Sequence, residues 1–175
     1  LSSASYAAQS GKPPRILVVY FSTPETDNPH NMTREEENST VVINGKVLGN
    51  TQYVAQLIQE MTGGDIFRIL PQKPYPTDHR TLVDLAKEEQ DQDARPAIQG
   101  KIESPEAYDT IFIGYPNWWG DMPMILYSFL EQYDFSGKTL IPFCTHGGSG
   151  FSRTIRTMQD KQPGATVIRN GYSLS

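Results

Sequence analysis

Short apolar runs alternate along this chain with stretches of helical periodicity, and this alternation constrains the fold more than any other feature. The run at 15–21 is rich in β-branched residues, which is typical of a strand buried on both faces of a parallel sheet. Further strands are predicted at 65–70, 110–114, 139–144 and 166–170. Helical patterns separate these runs, so we expect a doubly wound α/β fold with a five-stranded parallel sheet, right-handed crossovers and helices on both faces.

The connection between the first strand and the first helix is unusually long. It spans 22–48 and contains the Asn44-Gly45 pair between two short β-prone runs, which is a strong hairpin signal. We therefore predict an inserted hairpin after the first strand. The acidic run Glu35-Glu36-Glu37 in the same segment is typical of a solvated surface, and its alternative role is a docking patch for a basic redox partner.

The helix that follows this insertion is predicted over 51–61. Asn50 is its expected N-cap, and Gly63-Gly64 is its expected end. The next helix is predicted over 81–92 with Asp78 or Thr77 as its cap, and a third one is predicted to reach Tyr133.

Three loops with ligand-binding residue types follow strands one, three and four. In a parallel sheet all three lie at the carboxyl edge of the strands, where doubly wound folds bind their ligands. The first loop combines Ser22 and Thr23 with Gly49, Asn50 and Thr51 at the helix start. Hydroxyl groups and unpaired backbone N–H groups at the positive end of a helix form an anion site, so we expect a phosphate there.

The second loop contains two consecutive tryptophans. Its candidate site residues are Pro116, Asn117, Trp118, Trp119 and Gly120. One indole can stack on an aromatic ligand while the other packs on the sheet edge, and the sequence does not distinguish between them.

The third loop is rich in glycine and follows the fourth strand. Its candidate residues are Thr145, His146, Gly147, Gly148, Ser149 and Gly150. A serine nucleophile motif fails here because Phe151 occupies its second glycine position. A Cys144–His146 nucleophilic pair lacks a third, orienting group, and Cys144 is better explained as a small buried apolar residue.

Taken together, these motifs resemble the flavodoxin-like FMN-binding family. Tyr20-Phe21-Ser22-Thr23 and Gly49-Asn50-Thr51 are similar to the two halves of its phosphate loop, separated here by the insertion. Trp118-Trp119-Gly120 resembles its ring-stacking loop. The resemblance covers 15–175 and implies FMN as cofactor, strand order 2-1-3-4-5 and a role in electron transfer, although the usual final helix is missing.

Two other functions remain open. One is an NAD(P)H-dependent FMN oxidoreductase of the quinone or azo type, and the other is a non-redox flavin-binding or partner-binding module. The implied partner of an electron carrier is a redox protein, and the implied partners of the reductase are NAD(P)H and a small acceptor. We expect no catalytic residue for an electron carrier, because the redox chemistry belongs to the flavin.

Composition excludes several partner classes. The net charge of −5 and pI near 5.2 argue against nucleic acid, and no run is long enough to span a membrane. No histidine spacing predicts a metal site. One cysteine favours a cytoplasmic protein, and export is the alternative if residues 1–14 are the tail left by a removed signal. We expect that tail to lie outside a single domain at 15–175, of unknown oligomeric state.

Overall fold

The computed structural model describes residues 15–24, 26, 28–30 and 32–175. The expected N-terminal tail, 1–14, lies outside the described residues. The main sheet is built from strands β1 (Ile16–Tyr20), β4 (Asp65–Arg68), β7 (Thr110–Pro116) and β8 (Thr139–Thr145), with β9 (Thr166–Val167) and β10 (Tyr172–Leu174) both paired to β8. All these pairings are parallel and the order is β4-β1-β7-β8 followed by β9 and β10. The predicted order 2-1-3-4-5 is therefore confirmed.

Helices cover both faces of this sheet. They are α2 (Asn50–Thr62), α3 (His79–Asp91), α4 (Met124–Gln132) and α5 (Thr154–Lys161). Successive residues of a strand point to opposite faces, so Val18 packs with Ala55 of α2 while Leu17 and Val19 join the core formed with α4 and α5. The largest buried side chains in that second core include Phe129.

The insertion after β1 folds as a short helix and a hairpin. Helix α1 (Arg34–Ser39) begins with a capping box in which Thr33 and Glu36 exchange hydrogen bonds. Strands β2 (Thr40–Ile43) and β3 (Lys46–Gly49) then pair in antiparallel register. Asn44 and Gly45 have φ of 52° and 76°, as the predicted two-residue hairpin turn requires. The hairpin is confirmed, and the acidic run lies in the first turn of α1 rather than in a loop.

The predicted cap of α2 is wrong by one residue. The helix begins at Asn50, and Gly49 is the N-cap without a side-chain bond. The side-chain amide of Asn50 donates to the backbone carbonyl of Asn38 at 2.6 Å. It therefore connects the helix start to the insertion and does not cap the helix. Downstream, Gly63 ends α2 and Asp78 caps α3, as predicted.

The fifth predicted strand is interrupted. β9 and β10 flank a break, and Gly171 lies so close to β8 that an added Cβ would stand 2.1 Å from the carbonyl oxygen of Pro142. Pro142 has no N–H to donate to a neighbouring strand, which explains why regular pairing stops opposite it.

Two short strands outside the main sheet, β5 (Leu70–Pro71) and β6 (Ile98–Gln99), form a separate antiparallel pair. Within the described ranges no helix is long and apolar enough to cross a membrane.

Candidate functional site

A cleft of about 360 Å³ opens at the carboxyl edge of the main sheet, where the three predicted loops meet. Most of the predicted site residues line it: Ser22, Thr23, Asn50, Thr51, Pro116, Asn117, Trp118, Trp119, Thr145, His146 and Gly147. The volume lies within the range of about 300–1,000 Å³ that is usual for small-molecule sites. The carboxyl edge of the sheet thus brings together residues that are far apart in the chain.

Five predicted residues belong to the same loops but do not line the cleft. These are Gly49, Gly120, Gly148, Ser149 and Gly150. Gly49 lies directly behind Ser22, and Gly120 and Gly150 take part in turns with positive φ. They set the backbone path of the loops and contribute no surface to the cleft.

Four hydroxyl residues lie around the start of α2, where the sequence predicts an anion site, and we call them the anion cradle: Ser22, Thr23, Thr51 and Thr145. Thr51 and Thr145 are buried, and their hydroxyl oxygens lie 2.8 Å apart. An added Cβ on Gly49 would stand 2.0 Å from the Ser22 Oγ, so only glycine allows this hydroxyl to lie against the helix start. Since no side chain caps α2, its first N–H groups remain available to an anion.

The two tryptophans have different environments. Trp118 is half-buried and meets Phe21 and Tyr75 edge to face, with ring centroids 5.5 Å away in each case. Trp119 keeps 51% of its surface exposed, and its indole N–H donates to the Val83 carbonyl at 3.0 Å. Trp118 is therefore the packing residue, and Trp119 is the one that offers ring surface.

A tight turn presents Trp119. Trp118 and Asp121 exchange backbone hydrogen bonds, and the two residues between them, Trp119 and Gly120, have φ of 55° and 79°. This geometry is strained for a bulky side chain. The side chain of Lys87 lies 5.8 Å from the Trp119 ring centroid, so helix α3 holds the indole through the Val83 bond and this cation–π contact.

Asn117 joins the aromatic turn to the glycine-rich loop. Its amide nitrogen donates to the Gly150 carbonyl at 2.8 Å and to the Ser152 hydroxyl at 3.0 Å. Its carbonyl oxygen accepts from the Gly120 N–H at 3.1 Å. The polar group of Asn117 is thus used within the protein, although the residue borders the cleft.

Asp121 links the same turn to helices α4 and α5. Only 1% of its surface is exposed, and its carboxylate accepts from the Thr157 hydroxyl at 2.9 Å and from the Tyr127 hydroxyl. Arg153 forms an ion pair with it at 3.3 Å. Burial, followed by the bond to Asp121, raises the pKa of Tyr127 to about 12, so this hydroxyl remains a donor at neutral pH.

The ring of His146 bridges the glycine-rich loop and β10. Its Nδ1 accepts from the Gly148 N–H at 2.9 Å, and its Nε2 lies 2.8 Å from the Ser173 hydroxyl. A nitrogen that accepts cannot carry the proton, so the neutral ring is protonated at Nε2 and donates to Ser173.

The Cys144–His146 alternative finds no support. Cys144 is fully buried, and burial raises the pKa of its thiol to about 12, which opposes formation of a thiolate. Its Sγ faces the carbonyl oxygens of Thr145 and Gly150.

The sequence did not predict the residues that helices α1 and α3 contribute to the cleft. Seven further residues line it: Glu35, Asn38, Ser39, His79, Leu82, Val83 and Ala86. Leu82 and Ala86 are buried residues of α3, but no sequence signal shows that this helix and α1 close over the sheet edge. Glu35 is the one carboxylate among the lining residues that the structure describes, and they include no lysine or arginine.

The sequence and the fold are similar to those of known proteins. A flavodoxin family model matches residues 40–174. A provisionally assigned flavoprotein from Bacteroides uniformis is 30% identical with a TM-score of 0.67, over 91% of this chain and 93% of that one. Another from Bacteroides eggerthii is 28% identical with a TM-score of 0.67, over 89% and 86% of the two chains.

A more distant structure has the same fold. It is a flavoprotein from Lactobacillus acidophilus in complex with FMN, 19% identical with a TM-score of 0.64, over 89% of this chain and 91% of that one. No curated protein matches the sequence.

Proposed function

Because this chain belongs to the flavodoxin family, we propose that it binds FMN in the cleft and carries electrons between redox proteins. The observation that supports this proposal most is the meeting of three different surfaces in one cleft: an uncapped helix start with hydroxyl groups, an exposed indole and a glycine-rich loop. FMN has three matching parts, which are a phosphate, an aromatic ring system and a polar pyrimidine edge.

The phosphate is proposed to lie in the anion cradle. Ser22, Thr23 and Thr51 supply hydroxyl groups, and the first turn of α2 supplies backbone N–H groups. Because Gly49 has no side chain, the Ser22 hydroxyl sits directly at this helix start.

The ring system is proposed to stack on Trp119. This indole is exposed, whereas Trp118 is half-buried and packs against Phe21 and Tyr75. Stacking would exclude water from one ring face, and the backbone of Thr145, His146 and Gly147 would border the pyrimidine edge.

Bound FMN supplies the electron-transfer chemistry, and the protein residues hold and shield it. No residue of the cleft is assigned a catalytic proton transfer. The cleft volume of about 360 Å³ is near the lower end of the usual range for ligand sites. Such a volume suits one flavin better than a flavin with a nicotinamide beside it, which favours a carrier over an NAD(P)H-dependent reductase.

Anaerobic reduction of the FMN-loaded protein distinguishes these functions. We expect NADPH or NADH alone to reduce the flavin slowly and a flavodoxin reductase with NADPH to reduce it rapidly, because a carrier depends on a partner for its electrons. Rapid reduction by either nucleotide alone would instead identify a reductase. Bound FMN that accepts electrons from neither source would favour the non-redox binding module.

A further inference from the structure

Arg68 contacts the anion cradle but does not line the cleft. It is the last residue of β4 and pairs in register with Tyr20 at the end of β1. From there its Nη2 donates to the Ser22 carbonyl at 3.5 Å. The Ser22 peptide therefore lies between a guanidinium group and the cleft.

The guanidinium group also lies beside the first turn of α2. Its central carbon is 5.7 Å from the ring centroid of Tyr20. Burial raises the pKa of the Tyr20 hydroxyl, and the charge of Arg68 and hydrogen bonds from Gln52 and Arg68 oppose that rise. Since Gln52 belongs to the first turn of α2, Tyr20, Gln52 and Arg68 form one cluster at the helix start.

This position is unfavourable for a lone cation. The N-terminus of a helix carries partial positive charge, so a second positive charge there is repelled. The Nε of Arg68 is buried without a hydrogen-bond partner, and among the described residues no carboxylate forms an ion pair with this guanidinium. Arg68 is half-buried, and a partly desolvated cation is stabilised by a nearby anion, so the cluster can accept one.

We propose that Arg68 is the counter-charge of the FMN phosphate and acts on it across the Ser22 peptide. The inference rests on the proposed function, because it assigns the phosphate to the anion cradle. It also explains how a cleft without a lining lysine or arginine can hold a dianion. Arg68 is a positioning residue here, since the hydroxyl and N–H groups make the direct contacts.

The proposal requires that Arg68 act on the phosphate and not on the ring. In Arg68→Gln we expect FMN affinity to fall about tenfold, the scale of one partly screened charge interaction. Affinity for riboflavin, which has no phosphate, should stay unchanged. The charge-retaining Arg68→Lys should keep most of the FMN affinity.

pH provides a readout that a purely structural role would not change. A phosphate monoester gains its second negative charge near pH 6. Wild-type affinity for FMN should therefore rise between about pH 5 and 8, and this rise should be smaller in Arg68→Gln.

The experiment is a fluorescence titration of each variant with FMN and with riboflavin. Arg15→Gln is the matched control, because Arg15 lies before the opposite end of β1 and pairs with Asp65. Equal loss of both flavins in Arg68→Gln, or unchanged FMN affinity with an unchanged pH profile, would overturn the inference while leaving FMN binding intact. Failure of the wild-type protein to bind FMN would overturn the proposed function and, with it, this inference.

Discussion

At the scale of single residues, the anion cradle depends on the absence of a side chain at Gly49. Gly49 has φ of −62°, which any residue can adopt, so its backbone does not require glycine. The requirement is steric, because a Cβ there would stand 2.0 Å from the Ser22 Oγ and 3.3 Å from the Ser22 Cβ. The position of the Ser22 hydroxyl at the α2 start thus depends on one pair of residues.

Gly49→Ala should therefore lower both stability and FMN affinity. We expect a loss of about 1 kcal/mol in the free energy of unfolding, at the low end for overpacking, because the Ser22 hydroxyl can turn to another rotamer. That turn moves the hydroxyl away from the helix start and so lowers FMN affinity. The effect should be smaller in a Ser22→Ala background, where the colliding oxygen is absent. Denaturant unfolding of the four proteins of this cycle measures the coupling, and additive effects would contradict the proposed contact.

The paired tryptophans give a second prediction at this scale. Trp119→Ala should weaken FMN binding by about 1–2 kcal/mol through loss of stacking, with little change in stability. Trp118→Ala should instead destabilise the fold by about 1–3 kcal/mol, less than at a fully buried tryptophan, because this half-buried ring packs against Phe21 and Tyr75. FMN titration and thermal unfolding of both variants separate these roles, and the reverse pattern would reject our assignment.

Sequence reasoning identified both tryptophans but could not assign their roles. The roles depend on the turn that reverses the chain between Trp118 and Asp121 and on the distance from Trp119 to Val83. Both are set by tertiary packing, which a local pattern does not encode. Asn117 illustrates the same limit, since its amide binds the neighbouring loop.

At the scale of secondary-structure elements, Glu131 on α4 links separate segments of the surface. It pairs with Arg95 at 2.7 Å and with Lys161 of α5 at 2.6 Å. These hydrogen bonds, first to Arg95 and then to Lys161, lower the pKa of Glu131 from 4.5 to about 2. The carboxylate therefore stays charged in moderately acidic solution.

Glu131→Gln should make stability less sensitive to acid. Since the folded pKa is below the unfolded one, the contribution of Glu131 is present above about pH 4.5 and is lost as the pH falls towards 2. We expect a deficit under about 1 kcal/mol at neutral pH, because water screens this exposed group.

Thermal unfolding between pH 7 and 2 tests this expectation. The difference between wild type and Glu131→Gln should shrink as the pH falls. Glu60→Gln is the control, because Glu60 is exposed on α2 and no ion pair involving it is seen among the described residues. A difference that stays constant with pH would contradict the ion-pair explanation.

Element boundaries were predictable where local chemistry decides them and were not predictable elsewhere. Asn44-Gly45 and Gly63 adopt the positive φ that their residue types favour. The start of α2 shifted because Asn50 bonds to Asn38, which is twelve residues earlier in the chain. The break in the fifth strand follows from Pro142 on a neighbouring strand, so it cannot be deduced from the fifth strand itself.

At the scale of the whole molecule, the candidate site follows from topology. Parallel strands β1, β7 and β8 end at the same sheet edge, so the loops after them meet without any local signal for contact. The wall made by α3 and α1 has no such rule, because crossover helices and insertions can lie at many angles. This difference explains why the three loops were predicted and the residues Glu35, His79 and Val83 were not.

The most direct test of the central claim is a titration of the flavin-free protein with FMN, followed by flavin fluorescence. We predict saturable binding of one FMN per chain with quenched fluorescence, because the ring is proposed to stack on Trp119 in a single cleft. Absence of saturable binding, or binding in the wild-type protein that both Gly49→Ala and Trp119→Ala leave unchanged, would contradict the proposed site.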